Sequence, residues 1–228
     1  MAKVVYGPIV QDARNHQGGT VFTRTRAGSM TRRKVSPTQP HTSCQANVRA
    51  NFTGLSKAWS ALSETVRAAW IAFASNNPVR DLFGQRIILT GHQMYVRLNR
   101  TLATIGVAAM TNPPANLNVH YVGPVTATHD GPPVTVLNIG WTTPGLMGNE
   151  HTVVFATAPM SAGRATAGAR FRLIFHSGSG LPGPFNLITE YTEKFGAPIT
   201  GSKIFFRAML VDPDNGAQSI PSEVALTI

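Results

Sequence analysis

Carboxylates are scarce in this chain. Its 228 residues hold ten Asp and Glu against twenty Lys and Arg, and charged residues of both signs make up 13%. No two acids stand in a pattern that supports paired general acid–base chemistry. Cysteine is nearly absent too. Cys44 alone excludes an internal disulfide framework and suits a reducing compartment during synthesis. It reads as a small helix-start residue rather than a reactive thiol. The seven histidines include no i,i+4 pair and no neighbouring cysteine pair, so a zinc site is not expected. Glycine-rich residues 177–183 lack the Lys-Ser/Thr ending of a phosphate loop, and no Gly-x-Ser-x-Gly elbow occurs. Residues 212–216, Asp-Pro-Asp-Asn-Gly, lack the distal Glu of a calcium loop and read as a β-turn.

Long apolar runs are missing as well. Apolar runs such as residues 204–206 and 208–211 fall far short of the ~20 residues a membrane helix needs. The N-terminus has no apolar h-region of a signal peptide. No enzyme activity, cofactor, metal, small-molecule substrate or membrane contact is therefore expected.

What the chain does have is positive charge, unevenly placed. Residues 1–49 carry eight Lys/Arg against Asp12, a net of +7. Residues 50–110 carry a further +4, whereas residues 111–228 hold six basic and seven acidic groups, a net of −1. The excess sits in the first half, as expected of a segment that meets a polyanion or an acidic protein surface. Arg24, Arg26, Arg32, Arg33 and Lys34 are the candidate contacts. The alternative is that they only solubilise.

Residues 42–110 read as a three-helix unit. Val48, Phe52, Leu55 and Trp59 share one helical stripe, as do Val66, Ala69, Trp70 and Phe73, and then Tyr95, Leu98, Leu102 and Ile105. Thr42 or Ser43, Ser63 and Thr90 are candidate N-caps, Gln93 completes a capping box, and Gly106 suits a C′ position. Phe52, Trp59, Trp70 and Tyr95 are expected as core or docking anchors, ahead of a ligand-stacking role for the tryptophans.

Residues 1–41 read as a basic extended arm. Residues 20–26 and 29–35 flank Ala27-Gly28 as a hairpin, one too polar to be stable without a covering surface. Pro37-Thr38-Gln39-Pro40 stops the strand, and residues 85–89 look like a short strand between the second and third helices. Residues 111–116 form a linker. Residues 117–228 carry seven strand-like runs, at 117–121, 134–141, 151–156, 170–175, 185–191, 203–211 and 223–228. That number suits an immunoglobulin-like sandwich, with Leu137, Ile139, Trp141 and Phe206 in its core. The fold class expected is α+β multidomain: arm, helical unit and all-β sandwich.

Two resemblances add to this. Residues 137–144, Leu-Asn-Ile-Gly-Trp-Thr-Thr-Pro, resemble the early tryptophan strand of fibronectin type III domains. Residues 204–208 and 219–224 are similar to that family's last two strands, with Ile204 where a tyrosine is usual. The first half resembles small phage and prophage proteins of unassigned function through its Gly- and Arg-rich arm, Pro37-x-Gln39, Trp59-x-x-Leu62-Ser63 and Arg67-Ala68-Ala69-Trp70. Asn99 and Gly106 bracket the end of the third helix in the same way. This resemblance implies a virion component, made in the host bacterial cytoplasm. Such an auxiliary head, head–tail or tail protein would have other virion proteins and copies of itself as partners. The alternatives are a nucleic-acid-binding protein using the arginine-rich arm and a host-surface or carbohydrate-binding adhesin using the sandwich loops.

Overall fold

The N-caps act as their residue types dictate. In the computed structural model, which describes residues 2–26, 28–36, 42–81, 83–141, 149–178 and 183–228, the Thr42 hydroxyl accepts from the Gln45 amide to start α1 (Ser43–Ala61). Ser63 accepts from Val66 to start α2 (Glu64–Asn76). Thr90 and Gln93 close a reciprocal capping box on α3 (Gly91–Thr104). Pro37–Pro40, Ala27 of the expected hairpin turn, residues 142–144 of the tryptophan-strand match and part of the glycine-rich loop lie outside the described residues.

The chain is α+β. Ahead of the helices lie β1 (Ala2–Val4), β2 (Asn15–Gln17), β3 (Thr20–Thr25) and β4 (Gly28–Arg33). They pair antiparallel in the order β1-β4-β3-β2, so the expected hairpin is the centre of a four-stranded sheet. No described residue of 2–36 is buried. Between α2 and α3, β5 (Val79–Arg80) and β6 (Arg86–Ile87) form a small hairpin. Lys3 of β1 ion-pairs with Asp81 on it and donates to Gln85 Oε1 at 2.8 Å. The lysine holds the Asp81 carboxyl below the usual carboxylate range.

The helical core gathers Leu55, Trp70, Ala74, Met94, Tyr95 and Leu98. Gly91 allows α3 to start against α2, since a Cβ there would lie 2.9 Å from the Ile71 amide nitrogen. The first three turns of α1 take no part in this core. Val48, which shares the stripe, and Phe52, expected as a core or docking anchor, are 53% and 54% exposed. α1 outruns its partners, so the buried stripe begins at Leu55.

The remainder comprises β7 (Val125–His129), β8 (Leu137–Trp141), β9 (His151–Ala156), β10 (Met160–Ser161), β11 (Arg172–His176), β12 (Phe185–Asn186), α4 (Ile188–Phe195), β13 (Ser202–Val211) and β14 (Ser222–Thr227). One antiparallel sheet runs β12-β8-β7. In the other, β13 pairs with β14, β9 and β10, and β11 adds beyond β9. Val125, Leu137, Ile139, Val154, Ile204, Phe206 and Leu210 share one core across the two sheets. Trp141 is half-buried and stacks on Phe185, centroids 5.5 Å apart.

Three expectations for this region are corrected. Residues 185–191 were expected as one strand in an all-β unit, but only Phe185–Asn186 pairs and α4 follows. Ile188, Tyr191 and Phe195 stand at helical spacing and pack on the core. Glu190 in the first turn and Lys194 in the last suit the helix dipole. Residues 117–121 form no strand, because side chains take their backbone groups: Glu150 Oε1 accepts from the His120 amide at 2.8 Å, and Asn215 donates to the Asn118 carbonyl at 3.2 Å. Val125–His129 is an additional strand whose inward side chains include only a small alanine at its centre.

Asp130 fixes the turn after β7. It accepts from the amides of Thr135 (3.0 Å) and Val136 (3.1 Å) and from the Thr135 hydroxyl. The hydroxyl first, then the amides, hold its carboxyl at about 2, below the ordinary 3.8. A depressed folded value means that this contribution is present above the unfolded pKa and is lost as pH falls toward the folded one. Asp130→Asn is therefore expected to lower the urea midpoint near neutral pH, with the difference from the parent shrinking between about pH 5 and pH 2. A pH-independent difference would contradict this.

Candidate functional site

The third helix joins the two halves. Leu102 of α3 and Ile105 at its C-cap share a buried cluster with Val153 of β9 and Val211 of β13, bordered by Met110, Phe155, Leu173 and Met209. Buried Asn99 acts as a backbone surrogate, donating to the Met110 carbonyl at 3.3 Å and accepting from its amide at 2.6 Å. Trp70 Nε1 donates to the Thr111 carbonyl at 2.8 Å. The 212–216 turn seats on the same helix. Gly216 (φ +68°) lies so close that a Cβ would fall 2.6 Å from the Leu98 carbonyl oxygen. Residues 111–116 therefore connect two halves that share a core.

Apart from this shared core, solvent-facing apolar side chains are concentrated in the first part of the chain. Of the twelve exposed large hydrophobics among the described residues, nine lie within the first 88 residues, among them Ile9 (95%), Phe52 and Phe83. That same stretch carries most of the positive charge. Phe52 and Val48 lie one turn apart on the free part of α1, a continuation of the stripe that Leu55 and Trp59 bury further along. Trp59 is half-buried against Tyr95 and His92, with centroids at 5.5 and 5.6 Å. Trp70 and Tyr95 are fully enclosed, where they serve as core.

The five basic contacts expected of the arm do not form one patch. Cross-strand partners share a face. Arg33 opposite Thr20 and Arg24 opposite Ser29 therefore lie on the face of Phe22. Arg32, opposite Val21, lies on the other face with Lys3, which meets the β5–β6 hairpin. Arg26 stands in the β3–β4 turn and Lys34 follows β4, both exposed. Arg24 also approaches Asp12 at 3.5 Å. Hydrophobic alternation alone does not give this division, because the register had to be known first.

Three of the seven acidic groups of the β-rich half, Glu150, Asp212 and Asp214, lie near the joint. Glu150 is buried and bridges to His120 Nδ1 at 3.0 Å. Burial, with Asp214 and Glu150 close by, pushes the Asp212 carboxyl up. Among the described residues, no group of three or more His, Cys, Asp or Glu side chains is arranged to hold a metal ion. No described helix is long and apolar enough to cross a membrane. Comparison with protein-family models, curated proteins and solved structures found no match to the chain.

Proposed function

We propose that the chain is a structural component of a bacteriophage particle, docking by its first 88 residues and displaying the β-rich half outward. The observation that carries this reading is the coincidence of exposed apolar side chains and positive charge in one half of a molecule whose halves share a core. Surfaces of that composition are buried in assemblies. The division of the arm's arginines between two sheet faces favours contact with protein subunits on both sides over a single track of phosphates. Partners are other virion proteins and further copies of the chain.

The β-rich half is read as an immunoglobulin-like sandwich of the fibronectin type III kind, with α4 inserted. Its first, second and fifth main strands (β7, β8, β12) form one sheet. The third, fourth, sixth and seventh (β9, β11, β13, β14) form the facing one. This cross-connected order supports that reading.

Phe52→Glu tests the docking role. With the ring 54% exposed, the change is expected to alter stability by no more than ~0.5 kcal/mol. Recovery of the chain in gradient-purified particles is expected to fall at least about tenfold, as for a lost interface anchor. Normal recovery would remove Phe52 from the interface.

A further inference from the structure

Four of the six basic residues of the β-rich half gather at one end of it. Glu150 precedes β9 and Asp212 follows β13, whereas Arg164, Arg170, Arg172 and Lys203 cluster where β9 ends and β13 begins. β9 alone separates the ends by roughly 20 Å. At the distal end a cleft of about 550 Å³ opens between residues 158–160 and 169–172, with Phe195 of α4 also lining it. Its walls are Ala158, Pro159, Met160, Phe171 and Phe195, and its only charged lining groups are Arg170 and Arg172.

Both arginines are exposed, and neither has an ion-pair partner among the described residues. The segment that carries them is held in place. Phe171 lies between them, and the Arg207 guanidinium stacks on its ring at 4.0 Å. Glu223 fixes Arg207 in turn, accepting from Nε at 2.9 Å and from Nη2 at 2.6 Å. This half has net charge −1, so the pair is a local feature and not part of a generally basic surface. A guanidinium presents a planar fork that matches carboxylate or phosphate oxygens. A cleft of this size, apolar with a few convergent polar groups, is of the kind that takes small ligands.

We propose that this cleft binds a small organic anion, its carboxylate or phosphate on Arg170 and Arg172 and its less polar body against Met160, Pro159 and Phe195. The site lies in the half that the assembly reading places outward, yet it stands on its own geometry and does not depend on that reading.

The test is amide chemical-shift titration of the full chain with glucuronic acid, glucose 6-phosphate and glucose. Saturable shifts at the amides of residues 158, 160 and 169–172 are expected with at least one of the anions at about millimolar concentration, and none with glucose. Preference between the two anions assigns carboxylate or phosphate. Arg170→Ala combined with Arg172→Ala is expected to weaken binding at least about tenfold, while Arg24→Ala with Arg32→Ala in the N-terminal sheet leaves it unchanged. Three results would overturn the proposal: no saturable shift with either anion, equal binding of glucose, or undiminished binding by the Arg170/Arg172 double variant.

Discussion

Trp70→Ala is expected to destabilise the protein by about 3–5 kcal/mol, the range for deleting a fully buried large aromatic. Trp70 has no exposed surface. Its ring meets Tyr95 edge-on at 5.4 Å and Phe73 at 5.9 Å. Collapse into the cavity is hindered because Gly91 already brings α3 against the Ile71 backbone. The change also strands the Thr111 carbonyl, at the start of the connection to the β-rich half. Losing that hydrogen bond adds to the cost. Urea denaturation reads the effect. Half-buried Trp59, changed to alanine, is expected to cost less. A Trp70 effect below about 1 kcal/mol would mean that the helical unit repacks without its centre.

Removing residues 1–41 is expected to do the opposite. No described residue of 2–36 is buried, and the main tie to the rest is Lys3 with Asp81 and Gln85. Removing the segment returns Asp81 to water instead of leaving it enclosed and unpaired, so the thermal midpoint should move by only a few degrees. Incorporation into particles, in contrast, is expected to fall by at least about 100-fold, equivalent to ~2.7 kcal/mol of lost association. The deleted segment contains seven of the twenty Lys/Arg, together with exposed Ile9 and Val35. Loss of the cooperative fold in the truncated chain would instead make the sheet a part of the core.

How far the fold is legible in the sequence depends on what each element rests on. The three long helices rest on local signals. Thr42, Ser63 and Thr90 hydrogen-bond within their own first turns, so residue type and spacing locate them. α4 carried an equally local signal in Ile188, Tyr191 and Phe195, but preceding Phe185 and Asn186 favour extended chain and masked it. β1 and β2 are three residues each, and only cross-strand partners define them. The free turns of α1 show another limit. Val48 and Phe52 continue the helical stripe, and periodicity assigns a face without saying whether another element covers it.

The candidate surfaces divide in the same way. The charge asymmetry is visible in the sequence. The separation of Arg24 and Arg33 from Arg32 requires strand register, and the cleft at Arg170 and Arg172 requires the approach of residues 158–160. Asn99 was noted only as a marker of a helix end. Its role in holding Met110, and with it the two halves, depends on a contact eleven residues away.

The central claim is that the first 88 residues are the docked half and the β-rich half is displayed. Limited proteolysis of the chain in gradient-purified particles, with fragments mapped by mass spectrometry, tests it most directly. The account predicts that residues 1–88 stay protected on the particle and that the first cuts fall in the β-rich half. The free chain should be cut first within residues 1–41. Early cutting of residues 1–41 on the particle, or absence of the chain from particles, would contradict it.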